Sequence, residues 1–242
     1  MSTINLMYHD VFVGNPNESG FPSGMYKLSL SDFEEQVQCV LKCTNGGKDV
    51  VLTFDDGGVS FYYPIADVLD KYNIKGIFFI STDYIGKEGF LTEDQIKDLD
   101  SRGHIIGSHS HTHPSDISSL PKEDIMCEWR NSINILSRII GKNVEVASIP
   151  NGYESKQVVE LAEINGIKQL YTSKPITKVG NFKSMCIHGR YVVLSSTGLK
   201  GVQNIISSRF CRLCISARWW GLYVVKKILG RYYDSLKKSI VK

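Results

Sequence analysis

Apolar and polar positions along the chain alternate between two periodicities. The runs at 4–8, 50–54 and 76–80 are short, apolar and rich in β-branched or aromatic residues, which is typical of buried strands. Apolar residues at helical spacing follow each run, as at Phe33, Val37 and Val40. This βαβα order predicts an α/β domain built on a parallel sheet or barrel.

Polar residues, proline and glycine indicate where the elements begin and end. Ser31 and Glu34 have the form of a capping box and predict a helix start there. Residues 92–102 read as a capped helix, and a longer helix opens at Leu120–Pro121 and stops at Gly141. Three glycines and two prolines between residues 14 and 28 predict a long irregular loop.

The apolar run at 50–54 ends in two adjacent acids, Asp55 and Asp56, and two glycines. Neighbouring side chains on a strand point to opposite faces, so these acids share a pocket only if the strand ends at Phe54 and the backbone turns. Gly57 and Gly58 permit that turn. A cation bound by one carboxylate would leave the other free as a general base. An ordinary Asp-Gly turn is the alternative.

His109 and His113 lie four residues apart in the segment GSHSHTHP. On a helical turn this spacing places both imidazoles on one face, with His111 pointing elsewhere. Two histidines and one aspartate leave a coordination position open for water, which is the ligand count of catalytic zinc. The same donors accept other divalent transition metals.

Together, TFDDG at 53–57 and the H-S-x-x-H pattern at 109–113 resemble the polysaccharide deacetylases, the NodB-homology family of carbohydrate esterases. The resemblance extends from about Ile4 to Val193. It implies a distorted (β/α) barrel, with Asp56, His109 and His113 as metal ligands and Asp55 as the catalytic base. The implied activity is metal-dependent removal of N-acetyl groups from the amino sugars of a glycan.

Further roles follow from the same resemblance. His188, in a loose match to a late Leu-x-x-His motif, is the candidate general acid. Asn151, in the segment IPNGY, is positioned to offer its backbone N–H to a developing oxyanion. Candidate substrate contacts are Pro150, Tyr153 and His9.

One departure from the family pattern concerns the base. The family often has an arginine that orients this aspartate, where the present chain has Ser148, and the arginine's partner motif is not evident at 171–176. We interpret this as a subfamily difference. The alternatives are a catalytically degenerate glycan-binding or membrane-docking module, and a deformylase or other amide hydrolase acting on a related sugar.

Composition adds expectations about location. Six cysteines in 242 residues do not indicate a disulfide scaffold, and we interpret Cys211 and Cys214 as packing residues. The N-terminal sequence lacks the pattern of a secretory signal, and no apolar run approaches the ~20 residues that span a bilayer. We therefore expect a cytoplasmic protein.

The final segment differs in charge from the rest. Residues 200–242 hold ten Lys or Arg and one acid, a net charge of +9, which leaves −6 for residues 1–199. We therefore divide the chain into a catalytic domain, 1–199, and a basic aromatic helical tail, 200–242. The tail either packs on the barrel or binds the inner membrane face, where the substrate would be a lipid-linked glycan. Nucleic-acid binding is not expected, because no known reader motif accompanies the charge.

Overall fold

The computed structural model describes residues 3–229, with side chains to 225. Eleven strands and seven helices lie within this part of the chain. The strands are β1 (Ile4–Tyr8), β2 (Asp10–Phe12), β3 (Lys27–Ser29), β4 (Val50–Phe54), β5 (Ile77–Ile80), β6 (Ile105–Ser108), β7 (Val146–Ser148), β8 (Gln169–Tyr171), β9 (Gly180–Phe182), β10 (Met185–His188) and β11 (Tyr191–Val192). The helices are α1 (Leu30–Asn45), α2 (Ile65–Lys71), α3 (Glu93–Ser101), α4 (Lys122–Ile140), α5 (Lys156–Ile164), α6 (Gly198–Ser207) and α7 (Arg209–Leu229).

Nine strands form one curled sheet in the order β11-β1-β4-β5-β6-β7-β8-β10-β9. All neighbours pair in parallel except β9, which runs antiparallel to β10. Strands β1 and β5 are buried along their whole length, as expected when a parallel sheet is covered on both faces. The predicted distorted (β/α) barrel is confirmed.

Helices cover the outer face of the sheet and side chains fill the inside. Phe54 and Phe78 project outward into the main core, where Phe33 of α1 and Trp129 of α4 are also fully buried. On the inner face, Phe79 packs against Tyr171 with ring centroids 5.3 Å apart. Alternate residues of each strand thus serve two different apolar regions.

A connection of only two residues, Gly189 and Arg190, links β10, the strand next to the edge strand β9, to β11 at the opposite edge of the sheet. Such a link spans at most roughly 10 Å, so the sheet has to curl until its two ends nearly meet. A Cβ at Gly189 would lie 2.4 Å from the carbonyl oxygen of Lys174, so only glycine fits at this seam. Asn5 Nδ2 donates to the Gly189 carbonyl at 2.9 Å and ties the seam to β1.

Most predicted helix boundaries are confirmed, with one exception. Thr92 and Gln95 form a complete capping box on α3, and Gly141 ends α4 in the left-handed conformation at φ 71°. Helix α1, however, begins at Leu30, because the side chain of Ser29 accepts the backbone N–H of Asp32. The predicted capping box starting at Ser31 is therefore wrong.

The loop predicted at 14–28 is tied to the barrel through a buried acid on β2. Asp10 Oδ1 accepts hydrogen bonds from Ser19 at 2.6 Å and from Ser60 at 2.7 Å. Lys27, on the far side of the loop, donates to the Ser19 carbonyl at 2.6 Å. These contacts fix the loop beside the carboxyl ends of β1 and β4, which is the end of a barrel where active sites are built.

The predicted tail lies only partly within the described residues. Helix α6 is part of the main core through Val202, Ile205 and Ile206. Helix α7 follows it and is described as far as Leu229, while residues 230–242 lie outside the described range. Among the described helices, none has the length and apolar character needed to cross a bilayer.

Candidate active site

The two adjacent aspartates occupy a turn directly after β4. Asp55 continues the sheet, with its N–H bonded to the carbonyl of Tyr8 at 3.1 Å. Asp56 and Gly57 then adopt positive φ angles of 92° and 94°, which reverses the direction of the backbone. Both carboxylates consequently lie in one buried pocket. The turn expected from the glycines is confirmed, although Asp56 itself also takes the left-handed geometry that non-glycine residues seldom adopt.

The two histidines come together by a route that differs from the predicted helical turn. Strand β6 ends at Ser108, and the segment 109–113 is an irregular loop in which Ser110 and His113 have φ angles of 65° and 54°. The imidazole rings of His109 and His113 nevertheless lie 5.1 Å apart. The helical prediction for this segment is wrong because the loop is held by contacts from elsewhere in the chain.

Glu128 of α4 supplies those contacts. Its Oε2 accepts the backbone N–H groups of His111 and Thr112, both at 2.8 Å, and its Oε1 accepts the Thr112 hydroxyl at 2.7 Å. His111 points away from the other two histidines, as predicted, and its Nδ1 bonds to Thr82 Oγ1 at 2.8 Å. A buried carboxylate thus sets the shape of the loop that carries His109 and His113.

The predicted ligand set converges on one point. Nε2 of His109 lies 3.4 Å from Oδ1 of Asp56, and Nε2 of His113 lies 3.3 Å from the same oxygen. Ligand atoms of these three residues all lie within 4.8 Å of one another. The second carboxylate, Asp55, is next to this group, with its Oδ2 3.8 Å from His109 Nε2.

Ser148, the residue at the family's arginine position, indicates which nitrogen of His109 is free to bind a metal. Its hydroxyl donates to Asp55 Oδ1 at 3.3 Å and therefore accepts from His109 Nδ1 at 2.6 Å. With the proton on Nδ1, the Nε2 atom of His109 has a lone pair that faces the Asp56 carboxylate. The lone pair and the carboxylate repel each other unless a positive charge lies between them. The donor set therefore fits a divalent ion, with Ser148 orienting one ligand.

Arg190 was missed by sequence reasoning and is the partner of the base. From the seam between β10 and β11 it donates to Asp55 through Nη1 to Oδ1 at 2.6 Å and through Nη2 to Oδ2 at 2.8 Å. Its other donors bond Thr53 Oγ1 and the Thr172 carbonyl. Both charged side chains are buried. An arginine does face the aspartate predicted to be the base, but it lies later in the chain than the family motif suggests, in the link between β10 and β11.

The electrostatics of the two carboxylates follow from these partners. Burial alone would raise the pKa of Asp55, but the Arg190 guanidinium outweighs it and holds that pKa below its usual range. Burial likewise opposes ionisation of Asp56, while the neighbouring His109 and His113 rings, in their positive forms, lower its pKa. Both acids are ionised at neutral pH. Burial disfavours the charged form of His109, yet Asp55 and Asp56 raise its pKa.

The other residues predicted at the site, His9, Pro150, Asn151 and Tyr153, have contacts of their own. The ring centroid of His9 lies 4.3 Å from that of Tyr26. A positive charge on His9 would lower the pKa of Asp55 and of Asp56. The buried Nδ1 of His9 has no hydrogen-bond partner among the described residues. Asn151 has a φ of 54°, and its side chain donates to the Pro114 carbonyl at 3.4 Å. Pro150 is buried, and Tyr153 packs partly buried against the core.

His188 lies at the end of β10, where its described contacts lead elsewhere. Its ring stacks on Tyr171 with centroids 4.6 Å apart, and its Nε2 bonds to Gln169 Oε1 at 2.9 Å. Burial lowers its pKa. Among the described contacts of His188, none reaches the two aspartates.

An aromatic rim borders the metal-ligand group and was also missed from sequence. Phe21 lies on the loop held by Asp10, and its ring centroid is 4.9 Å from that of His113. The ring centroids of Tyr84 and Phe90 lie 4.8 and 5.1 Å from that of Phe21. The Gly20 N–H bonds to the Gly89 carbonyl and joins this loop to the segment that carries Tyr84 and Phe90. The rim therefore forms one wall beside the site.

The sequence profile of the polysaccharide deacetylases matches residues 42–170, slightly more than half of the chain. The chain belongs to the polysaccharide deacetylase family. The members of this family are carbohydrate esterases, hydrolases that act on N-acetyl amide bonds. Arg190, His188 and His9 all lie outside the matched range.

Relatives with curated names agree with this assignment. The chain is 27% identical to a putative polysaccharide deacetylase of Bacillus subtilis, YxkH, over 70% of its own length and 64% of that protein. It is 35% identical to a chitin deacetylase of Arthroderma benhamiae over 42% of its length and 27% of that protein. The chain thus spans less than two thirds of the length of these relatives.

Solved structures share the fold of this polysaccharide deacetylase. A Bacillus cereus polysaccharide deacetylase superposes with a TM-score of 0.74 at 21% identity, covering 86% of this chain and 69% of that one. The Streptococcus pyogenes deacetylase PplD, solved in complex with acetate, gives 0.69 at 21% identity and covers 86% and 99%. At this level of identity the likeness establishes the curled barrel.

Replacing Arg190 tests whether it tunes Asp55. In Arg190→Met, burial acts on Asp55 without its counter-ion, so its pKa rises and the loss of activity on acidification begins at higher pH than in the parent. Unfolding free energy should fall by about 3–5 kcal/mol, because a buried charge is left unpaired. The pH–rate profile measures the shift of the acid limb, and chemical denaturation measures the free energy of unfolding.

Arg102→Met is the matched control, because this arginine is likewise paired with carboxylates, those of Asp67 and Asp70, but at the surface. It should leave the pH profile unchanged. Arg190→Lys keeps the charge and should recover part of the shift. An unchanged acid limb in folded Arg190→Met would contradict the tuning role.

Replacing Glu128 tests whether it shapes the histidine loop. Glu128→Gln removes one acceptor oxygen from a side chain that accepts three hydrogen bonds, so we expect zinc affinity to fall about tenfold. Competition with a chelator of known affinity measures this. Glu123→Gln on the exposed face of the same helix is the control. Equal affinity in parent and Glu128→Gln would show that the loop keeps its shape without this carboxylate.

Proposed function

We propose that this protein is a metal-dependent hydrolase that removes N-acetyl groups from the amino sugars of a poly- or oligosaccharide. The observation that carries the proposal is the pair of unlike carboxylates in one pocket. Asp56 faces two imidazole nitrogens, while Asp55 is held by Arg190 within 4 Å of the same group. Adjacent acids with different partners suit different tasks, one binding a cation and the other accepting a proton.

Zinc is our choice for the ion, because two imidazoles and one carboxylate are its usual donors at open sites. When bound by Asp56, His109 and His113, it would supply Lewis acidity toward the amide carbonyl and toward an attacking water. Other divalent transition metals suit the same donors, so metal content has to be measured.

The remaining work falls to residues of this chain. Asp55 accepts a proton from the attacking water, and the bidentate Arg190 keeps its carboxylate ionised and fixed in orientation. Asn151, on the turn after β7, offers its backbone N–H to the oxyanion of the tetrahedral species. The products are acetate and the free amine of the sugar.

Two histidines compete as the proton donor to the leaving amine. His188 is the candidate from the family resemblance, but its lowered pKa and its bonds to Gln169 and Tyr171 work against that role at neutral pH. His9 is the rival, because its Nδ1 has no described partner and its ring influences both aspartates. Comparing the basic limbs of the pH–rate profiles of His188→Asn and His9→Asn decides between them.

We infer a cytoplasmic enzyme whose glycan substrate is lipid-linked and presented at the inner membrane face. The charge asymmetry between residues 1–199 and 200–242 supports this. Half-buried aromatic rings at the rim, Phe21 and Phe90, offer apolar faces beside the ligand group, as pockets for small ligands commonly do.

The degenerate-module alternative loses one of its two arguments. It rested on the missing arginine at Ser148 and on the weak late histidine motif at 185–188, and Arg190 now supplies an arginine to Asp55 from the link between β10 and β11. The identity of the acyl group depends on pocket shape, so formate release is the competing outcome for an active enzyme.

The decisive experiment measures acetate and formate released from N-acetylglucosamine oligomers and from a lipid-linked N-acetylated glycan, with bound metal quantified on the same sample. Asp55→Asn should lower turnover by about 10²-fold or more while keeping metal, because it removes the base and spares the ligands. His113→Ala should lose both metal and activity.

Asp83→Asn, at a surface ion pair with Lys87, is the control and should behave as the parent. Formate without acetate would reassign the acyl group. Neither product from a metal-loaded protein on either substrate would refute the hydrolase. Full activity in Asp55→Asn would remove the proposed base.

A further inference from the structure

Helix α7 is attached to the barrel along one side of its first half. Arg212 Nη1 donates to the carbonyls of Ile205 and Ile206 at the end of α6, at 2.7 and 3.0 Å. One turn later, Ile215 packs against the main core and Ser216 donates to the Pro175 carbonyl. Positions spaced by three and four residues therefore face the barrel as far as Trp219.

Beyond Trp219 this attachment ends. Leu222, Tyr223, Val224 and Val225 are four consecutive residues, and each is between 42 and 48% exposed. Successive residues on a helix point about 100° apart, so these four side chains lie on all sides of the helix. Each of the four remains exposed, so the described part of the chain buries this segment on no side. An all-round apolar helical segment of this kind is normally buried in protein or in lipid.

The rings at the start of this segment form a cluster of their own. Trp219 stacks on Tyr223 with centroids 5.3 Å apart, and Trp220 packs edge-on against both, at 5.2 and 5.6 Å. Indole and phenol combine an apolar body with one polar group, and proteins concentrate them where hydrocarbon meets headgroups. Trp220 is 49% exposed, which leaves it free for such contact.

The charge around the segment is uniformly positive. Arg218 precedes it and is exposed, and the sequence places Lys226 and Lys227 directly after it. Residues 200–242 contain one acid, Asp234, against ten basic residues. The remainder of the chain is net negative, so an anionic surface attracts the tail and repels the rest.

We propose that α7 docks the protein on a bilayer surface that carries anionic lipids, with residues 220–225 entering the interface and the exposed Arg218 at the phosphates. Six helical residues span about 9 Å, against about 30 Å for the hydrocarbon core, so the helix rests in the surface layer. The docking surface is independent of the hydrolase chemistry.

The test is co-sedimentation of the full chain with vesicles of phosphatidylcholine alone and with about 30 mol % phosphatidylglycerol. The parent should bind the anionic vesicles, bind more weakly as salt rises from about 0.05 to 0.5 M, and shift its tryptophan emission to the blue. The triple variant Trp220→Ser, Leu222→Ser, Val224→Ser keeps all charges and should bind about tenfold more weakly or worse.

Ile164→Ser is the matched control, because Ile164 is an equally exposed apolar residue at the end of α5. It should bind as the parent does. Arg218→Gln should weaken binding to anionic vesicles and reduce its salt dependence. Circular dichroism confirms that each variant is folded.

Three results would overturn the proposal. The first is absence of parent binding to anionic vesicles at low salt, and the second is unchanged binding of the triple variant. The third is a lipid-free dimer that the triple variant dissociates while vesicle binding is absent, which would assign the apolar segment to a second copy of this chain. Deacetylation of water-soluble oligomers should be the same in parent and triple variant, so failure here is distinguishable from failure of the proposed activity.

Discussion

The buried ion pair between Arg190 and Asp55 ties the closure of the barrel to its chemistry. A guanidinium with no exposed surface must find acceptors for its donors, and those it finds are the Asp55 carboxylate, the Thr53 hydroxyl and the Thr172 carbonyl. These acceptors belong to β4 and to the residue after β8, on opposite sides of the seam. Its planar face also lies 5.4 Å from the Phe79 ring. The residue that joins the two ends of the curled sheet therefore also holds the carboxylate proposed as the base.

Two aspartates adjacent in sequence suit the two different tasks proposed for them because their partners differ while both are buried. Asp55 faces a permanent cation, and Asp56 faces two imidazole nitrogens that coordinate better neutral than charged. Ser148 connects the two halves by donating to Asp55 and accepting from His109. The departure from the family pattern is thus a relocation of the arginine along the chain, with its ion pair retained.

Charged residues of the barrel and of helix α7 differ in the partners they have. The barrel satisfies its buried charges internally, through pairs such as Arg190 with Asp55, and through acceptors such as Glu128 on backbone N–H groups. Within the described part of α7, Arg212 donates to carbonyls at the end of α6, while the side chain of Arg218 is exposed. An exposed charge of this kind is what the proposed attraction to an anionic membrane requires.

Local sequence determined the order of strands and helices and which residues are candidates for the chemistry, since burial periodicity and the turn at Gly57 are properties of neighbouring residues. It could not determine the shape of 109–113, because Glu128 imposes left-handed geometry on a spacing that favours a helical turn. Nor could it identify Arg190, which meets Asp55 across 135 positions of sequence. That contact depends on the curl and register of nine strands, which bring the two ends of the sheet together. A pattern of apolar residues reports that a side chain is buried, and only the closed sheet decides which charge it is buried against.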